Sequence, residues 1–400
     1  MGIDGLNKWL RDKHNNVFTE LHISKFAFKK VCFDISSYIY KFISIYGKDD
    51  NKWLNAFITL ILLWRQYAVN FIPVFDGKSP IEKDEEKVDR GEQREKGDVK
   101  CFQLKLDLSR FKDTKEKSIE LVKLMKKLSI KKYNDDEKNK MKRLLHPINE
   151  DKKEVVFTDD IDIDIDIIQN YLDNRERNIF SILPEDLNLL KTLFDKFKIP
   201  YFQAPDEAEA LCCYLVKAKL ADATFSLDSD CIAYQVPVII NDLDVKTGIC
   251  RVIYFDKLCE ELELDSDEIT TMLILCRCDY NRWTSAIKGI GPVSAHKIVK
   301  KWHTYDEIKK NDKRFQIEDD GYRYNRCVEL FNLQYPDIKQ VPSWDLRINI
   351  DNITDWLTSN NFYCDKAKIK TFWNPPKIIF DDDNKDSKKD DNKDSKNSDD

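Results

Sequence analysis

NFIPVFDGK, residues 70–78, is the stretch on which the fold turns. An apolar run ends in one carboxylate, Asp76, with a glycine behind it, the pattern of a buried strand running into a turn. The residues before it, DNKWLNAFITLILLWRQYAVN (50–70), have helical period and length. Before those, KKVCFDIS (29–36) repeats the strand pattern, with Asp34 near its end. Strand, long helix and strand in succession predict parallel pairing. A strand that ends in a carboxylate delivers it to the crevice at the carboxyl edge of such a sheet, where open α/β folds bind ligands.

Outward from this unit, residues 1–80 read as helix, strand, helix, strand. Residues 81–153 are rich in Lys, Glu and Asp with Leu at helical spacing, and predict long charged helices joined by loops. DDIDIDIDII (159–168) alternates like a strand, but its polar face is wholly acidic, so a loop or solvated edge is expected. The α/β pattern resumes near 183. Pro184 opens a helix in PEDLNLLKTLFDKF, IPYFQAP is a short strand, and Pro205 begins the DEAEALCCYLVKAK helix. DATFSLDSD reads as strand and turn, and PVIIND as strand. The expected divisions are 1–95 and 183–265 for two halves of one α/β core, 96–182 for a charged insertion, and 266–312 for a helical module around GIGP. Residues 313–380 form a C-terminal extension, and 381–400 a disordered acidic and lysine tail. The expected class is α/β, a mostly parallel twisted sheet flanked by helices.

The 400 residues suffice for a sizeable core, with 42% hydrophobic and 34% charged side chains. The net charge of −6 argues at first against a polyanionic partner. Its distribution reverses that. Residues 381–400 carry nine Asp and five Lys, while residues 100–153 carry 17 Lys or Arg against 9 Asp or Glu. A basic stretch beside an acidic crevice suits a protein that grips phosphates on one surface and acts on them at another. Eleven cysteines include no CxxC pair, which predicts reduced thiols in an intracellular protein. The longest apolar run, FITLILLW (57–64), is far short of a membrane span, and no clear targeting signal is present.

Seven carboxylates fall in separate clusters: Asp34, Asp76, Glu207 and Glu209 in APDEAEAL, Asp228 and Asp230 in FSLDSD, and Asp279 in CRCDY. Singly, each could be a helix cap or favour a helix N-terminus. Glu207 and Glu209 converge only if they straddle the first turn of their helix. Together, so many like charges are unfavourable unless cations hold them. Oxygen-only ligands suit Mg²⁺ or Mn²⁺, and two such ions are a device for in-line attack on a phosphodiester.

MGIDGLNKWL, FDISSYIYKF, VFDGKSP, APDEAEA, SLDSDCIAY and CDY…IKGIGPVSAHKI stand in the order found in the flap endonuclease/XPG family of structure-specific 5′ nucleases. The resemblance covers roughly residues 1–95 and 185–305. It implies a PIN-like nuclease core with an inserted helical arch and a helix–two-turn–helix module. It also implies Mg²⁺-dependent cleavage of branched DNA during replication, repair or recombination, at the nucleus or site of replication. The seven carboxylates would then hold two Mg²⁺ ions, Asp76 and Asp228 among the catalytic set. Lys83 and Arg90 would steer the scissile phosphate. Gly2 would approach the DNA backbone. Tyr40 would stack on a base, although it could equally be a core residue. Gly289 and Gly291, followed by Lys297, Lys300 and Lys301, would grip the duplex with a K⁺ ion.

The chain also departs from that pattern. The segment from Asp76 to Glu207 is longer than in compact flap endonucleases, the loop at 44–52 is shorter, and NRWTSA (281–286) is inserted before IKGIGP. Lys366–Trp373 keeps the hydrophobic spacing of a sliding-clamp peptide but has Lys where Gln is usual. It either docks a clamp or packs on the body. The alternatives left open are a 5′-3′ exonuclease or junction resolvase of the same chemistry, and a scaffold that binds DNA structures without cutting them. The Lys, Asn, Ile and Asp bias fits an AT-rich genome such as that of a large DNA virus or a protist.

Overall fold

Strand β2 (Lys30–Asp34) pairs in parallel with β3 (Asn70–Phe75), with Asp34 opposite Val74. The computed structural model describes residues 2–3, 5–48, 51–129, 161–177, 180–282, 289–316, 323–345, 347–362 and 366–373. With β1 (Phe18–His22), β4 (Phe202–Gln203), β5 (Ala223–Phe225), β6 (Val238–Leu243) and β7 (Ile249–Tyr254), these form one sheet of order β1-β7-β6-β5-β2-β3-β4. Four neighbouring pairs are parallel, and β7 pairs antiparallel with both β1 and β6. The expected mostly parallel sheet is present, and residues before and after the insertion build it together. β6 is the strand expected at PVIIND, whereas β7, which pairs back on it, and the β1 edge are additions that the sequence reading did not contain.

Apolar residues on the two faces of the sheet make two cores. One packs β2, β3 and β5 under the Ile35–Tyr46, Lys52–Gln66 and Pro184–Lys196 helices, with Phe33, Trp53, Trp64, Phe71 and Phe194 buried. The other joins Ala208–Lys217, Ser266–Leu275 and Pro292–Trp302 to the first helix, Leu6–Lys13. The helical module is therefore continuous with the main core. The cysteines of the described residues are unpaired thiols. Among the described residues no helix is long and apolar enough to cross a membrane.

A third cluster belongs to the insertion. The 31-residue helix Asp84–Thr114 packs Cys101, Leu104, Leu108 and Phe111 against Ile168 and Leu172 of the Ile165–Arg177 helix. Residues 161–164 are irregular, as expected of a loop, but 165–168 are helical, which corrects the expectation there. The helix starts at Ile165 because Ile165, Ile168 and Leu172 fall at helical spacing and find an apolar partner. Two further expectations shift. The helix expected from Pro205 begins at Ala208, with Glu207 as its N-cap. The Lys366–Trp373 helix packs on the body: Ile369 and Trp373 are buried, Trp373 stacks on Trp344 at 5.8 Å, and its carbonyl accepts from Arg65 Nε at 2.8 Å. Residues 130–160, 283–288 and 381–400 lie outside the described residues, and with them much of the basic stretch, most of the NRWTSA insertion and the acidic tail.

Candidate active site

The carboxyl ends of the parallel strands meet as expected. Asp34 closes β2 and caps the next helix: its Oδ1 accepts from the Ser36 amide at 3.1 Å, and its Oδ2 from Ser226 Oγ at 2.9 Å. Asp76, one residue past β3, accepts from the Ser36 hydroxyl and, at 2.8 Å, from the Ala208 amide. Ser36 thus ties two strand ends together. Glu207 has extended backbone, φ −89° and ψ 139°, just ahead of the helix that carries Glu209. This lets two residues that would diverge within a helix face one cleft. Asp228 caps the turn Ser229–Ile232, accepting from the Asp230 amide at 3.0 Å.

Asp34, Asp76, Glu207, Glu209, Asp228 and Asp279 line one cleft of about 330 Å³, with Lys83, Glu86 and Arg90. Asp230 lies fully buried behind it, where its Oδ2 faces the Asp279 amide at 3.5 Å. Six of the seven carboxylates are buried, whereas Asp76 is exposed. Burial, with help from Asp76, pushes the Asp34 carboxyl up to about 7. Burial also raises Glu207, Glu209, Asp228 and Asp230. For Asp279, burial pushes upward, but Lys83, Arg90 and Arg282 together outweigh it and hold the carboxyl below its ordinary value.

Lys83 sits in the short turn Ile81–Lys83 that precedes the long helix. Its ammonium lies 2.7 Å from Glu207, 3.1 Å from Asp279 and 3.7 Å from Glu209. Arg90, two turns along the helix, approaches the same Asp279 oxygen at 3.4 Å and pairs with Glu86. Among the described residues no three His, Cys, Asp or Glu side chains form a preformed metal cage; the Lys83 ammonium stands between three of the carboxylates. The donor set nonetheless fits hard divalent cations. It is oxygen throughout, and Glu209 Oε1, Asp230 Oδ1 and Asp279 Oδ1 are buried without a hydrogen-bond donor.

The other expected residues divide. Gly2 has φ +81°, and a Cβ there would stand 2.1 Å from Asp228 Oδ1. The N-terminal strap thus lies directly on the acidic cluster, which glycine alone permits. Tyr40 is half-buried at the rim of the cleft, whereas Tyr38 supplies the core ring. Beyond Tyr40 opens a wider cavity of about 820 Å³ lined by Lys8, Arg11, Lys41, Arg94 and Arg282. Phe180 lines it too, its ring 5.7 Å from that of Tyr40. Gly289 has φ +92°, and Gly291 caps the Pro292–Trp302 helix with open space where a Cβ would be. Lys297 is exposed, Lys300 is paired with Glu263, and the Lys301 ammonium lies over the Trp302 ring.

Sequence reasoning missed four participants. Glu86 is 2% exposed and faces the cleft; its place four residues before Arg90 was a visible signal. Ser36 and Ser226 bind the strand-end carboxylates. Tyr280 donates to Glu207 Oε2 at 2.6 Å and meets Tyr234 OH at 2.6 Å. Nothing in the sequence marked Tyr280, because its partners lie 73 and 46 residues away.

Residues 1–97 match the family model of the XPG N-terminal domain, and residues 198–279 that of the XPG I-region. The chain thus carries the N-terminal domain and the I-region of XPG proteins. It is 28% identical over 388 residues to the probable RAD2-like endonuclease 369L of Invertebrate iridescent virus 6, covering 91% of this chain and 86% of that one. It is 26% identical over 363 residues to flap endonuclease 1 of Micromonas commoda, covering 87% and 78%. In fold it resembles human GEN1, solved in complex with Holliday junction DNA, with TM-score 0.53 at 15% identity over 93% of this chain and 77% of that one. These likenesses mark the chain as a structure-specific 5′ nuclease, a metal-dependent phosphodiesterase acting on DNA.

Proposed function

We propose that this protein uses Mg²⁺, or Mn²⁺ in its place, to cut the 5′ strand of branched DNA beside a single-strand/double-strand junction. The observation that carries this reading is the convergence of Lys83 and Arg90 on Asp279, in a cleft walled by seven carboxylates, Glu86 among them. Cations aimed into an acidic cleft are suited to a substrate that brings its own negative charge. Asp34, Asp76, Glu207, Glu209, Asp228, Asp230 and Asp279 would hold or support two divalent ions, which supply Lewis-acid stabilisation and an activated water.

The protein's own residues do the positioning. Lys83 and Arg90 steer the scissile phosphate and stabilise charge as it develops. Tyr40 offers a ring face at the rim, and base stacking is tolerant of sequence. Gly2 lets backbone come close to the reacting strand. Gly289, Gly291 and the start of the Pro292–Trp302 helix present amides to duplex phosphates, with Lys297 and Lys301 adding attraction. A K⁺ ion at this hairpin belongs to the same reading, as does a location at sites of DNA replication. The burial of Ile369 and Trp373 supports reading Lys366–Trp373 as a segment packed on the body rather than as a clamp peptide.

The test is cleavage of four labelled substrates, a 5′ flap, a nicked duplex, a bubble and a four-way junction, each with Mg²⁺ and with EDTA. The reading expects Mg²⁺-dependent cuts at the flap junction. Faster cutting of the nicked duplex or the four-way junction would reassign the chain to an exonuclease or a resolvase. Cutting unaffected by EDTA would overturn the metal assignment.

A further inference from the structure

The turn that carries Asp279 also holds a cation that the family motifs do not call for. Asn281 fixes this turn. It is 1% exposed, its side-chain amide donates to Ile274 O at 3.0 Å, and its backbone N–H donates to Cys278 O at 3.2 Å. Arg282 comes next, its side chain 22% exposed. Its guanidinium reaches three separate parts of the molecule: it donates to Gly2 O at 2.8 Å, and lies 3.4 Å from Glu86 Oε1 and 3.8 Å from Asp279 Oδ1.

These contacts are unequal. The bond to Gly2 has ordinary length, whereas both carboxylate contacts are longer than the roughly 2.7–2.9 Å of a well-formed charge-assisted bond. Glu86 does not depend on Arg282, because Arg90 holds it as well. Arg282 can therefore release Glu86 without leaving a buried carboxylate unpaired. Arg90 and Arg282 face the two oxygens of the same Asp279 carboxylate, so their guanidinium groups stand side by side. Both also line the basic cavity beyond Tyr40. A planar fork of donors that is held by a backbone carbonyl and lines that cavity suits a phosphate oxygen pair.

We propose that Arg282 contacts the phosphodiester next to the scissile one, exchanging Glu86 for that phosphate when the strand enters the basic cavity. Arg90 serves the scissile group, and Arg282 its neighbour. Through its bond to Gly2, the same side chain couples the N-terminal strap to the bound strand. The inference rests on the nuclease reading above and deepens it: register along the cut strand is set by two adjacent arginines.

The test is a cycle between the side chain and the charge on the phosphate. A neutral methylphosphonate replaces each linkage in turn on either side of the cut site of a 5′ flap. Affinity is measured without divalent ions, and single-turnover rate with Mg²⁺. In the wild type, one flanking methylphosphonate is expected to weaken binding about fivefold or more, the scale of one lost charge-assisted contact. In Arg282→Gln the same replacement is expected to have no further effect, and in Arg282→Lys an intermediate one. Equal methylphosphonate effects in wild type and Arg282→Gln at every flanking linkage would overturn the proposal, leaving Arg282 as a clamp of the Gly2–Glu86–Asp279 corner. If Arg282→Gln unfolds early, Arg282→Lys, which keeps the charge in that corner, supplies the same comparison. Coupling in binding without any cutting by the wild type would sink the nuclease reading and keep the contact.

Discussion

The Lys83 ammonium lies 3.1 Å from Asp279 Oδ2, the oxygen that Arg90 approaches at 3.4 Å. A carboxylate shared by two cations in a buried corner behaves unlike five of its buried neighbours. Burial holds Asp34, Glu207, Glu209, Asp228 and Asp230 toward the protonated form, while the cations keep Asp279 ionised. The cleft is thus charged at Asp279 and prone to protonation at those five carboxylates.

Removing Lys83 tests that balance. Lys83→Ala strands Glu207, Glu209 and Asp279 without their shared cation, and breaking a buried pair of this kind costs about 3–5 kcal/mol. Denaturant unfolding of the metal-free variant is expected to show a loss on that scale, and Mg²⁺ is expected to restore a good part of it. A loss of equal size with and without Mg²⁺ would mean that cations do not enter between these carboxylates.

Arg90 differs from Lys83 in being partly exposed at the cleft mouth. Arg90→Ala is expected to lower the single-turnover rate more than about tenfold, or about 1.4 kcal/mol of transition-state stabilisation, with little change in affinity. A matching fall in affinity at unchanged saturated rate would make Arg90 a general DNA contact.

The pH dependence has a defined direction. Asp34 holds its proton up to about 7 in the folded protein because of burial, whereas the unfolded chain releases it near about 4. Its contribution is fully present below about pH 4 and is lost as pH rises through about 7, on the order of 3–4 kcal/mol in total. Glu207, Glu209, Asp228 and Asp230 shift in the same direction, and Asp279 in the opposite one. The metal-free protein should therefore lose unfolding free energy between about pH 4 and pH 7, and saturating Mg²⁺ should flatten that slope. Rising stability over that range without metal would contradict the burial of these groups.

At the hairpin, Gly291 has open space where its Cβ would be, so Gly291→Val is expected to leave the fold intact. It should weaken binding of duplex-containing DNA and reduce the salt slope, since bound phosphates are lost. Affinity across a salt series measures both. Unchanged affinity and slope would make GIGP an ordinary turn and place the duplex elsewhere.

Much of the site was legible because strand ends are local. VCFDIS and PVFDGK announce both the strand and the carboxylate it delivers, and parallel pairing then brings Asp34 and Asp76 to one serine. Glu207 and Glu209 could be expected to converge only at a helix start, and the extended backbone at Glu207 is what achieves it. Illegible features depend on distant partners. Tyr280 on Glu207, Ser226 on Asp34 and Arg282 on Gly2 join residues 73 to 280 positions apart. Strand β7 escaped because ICRVIY alternates only weakly. The acidic run near 165 turned helical because its isoleucines found the long helix Asp84–Thr114, a tertiary choice that alternation cannot foretell.

The central claim is that the buried carboxylates act through divalent metal on a phosphodiester. Asp228→Asn tests it most directly, because the amide oxygen can still cap the Asp230 backbone while the charge is removed. The measurement is the single-turnover rate of 5′-flap cleavage at saturating Mg²⁺, with flap affinity measured in parallel. The account predicts a rate lowered by about a thousandfold or more, the scale of lost transition-state charge stabilisation, with affinity unchanged or tighter. Substantial cleavage by Asp228→Asn at saturating Mg²⁺ would contradict it.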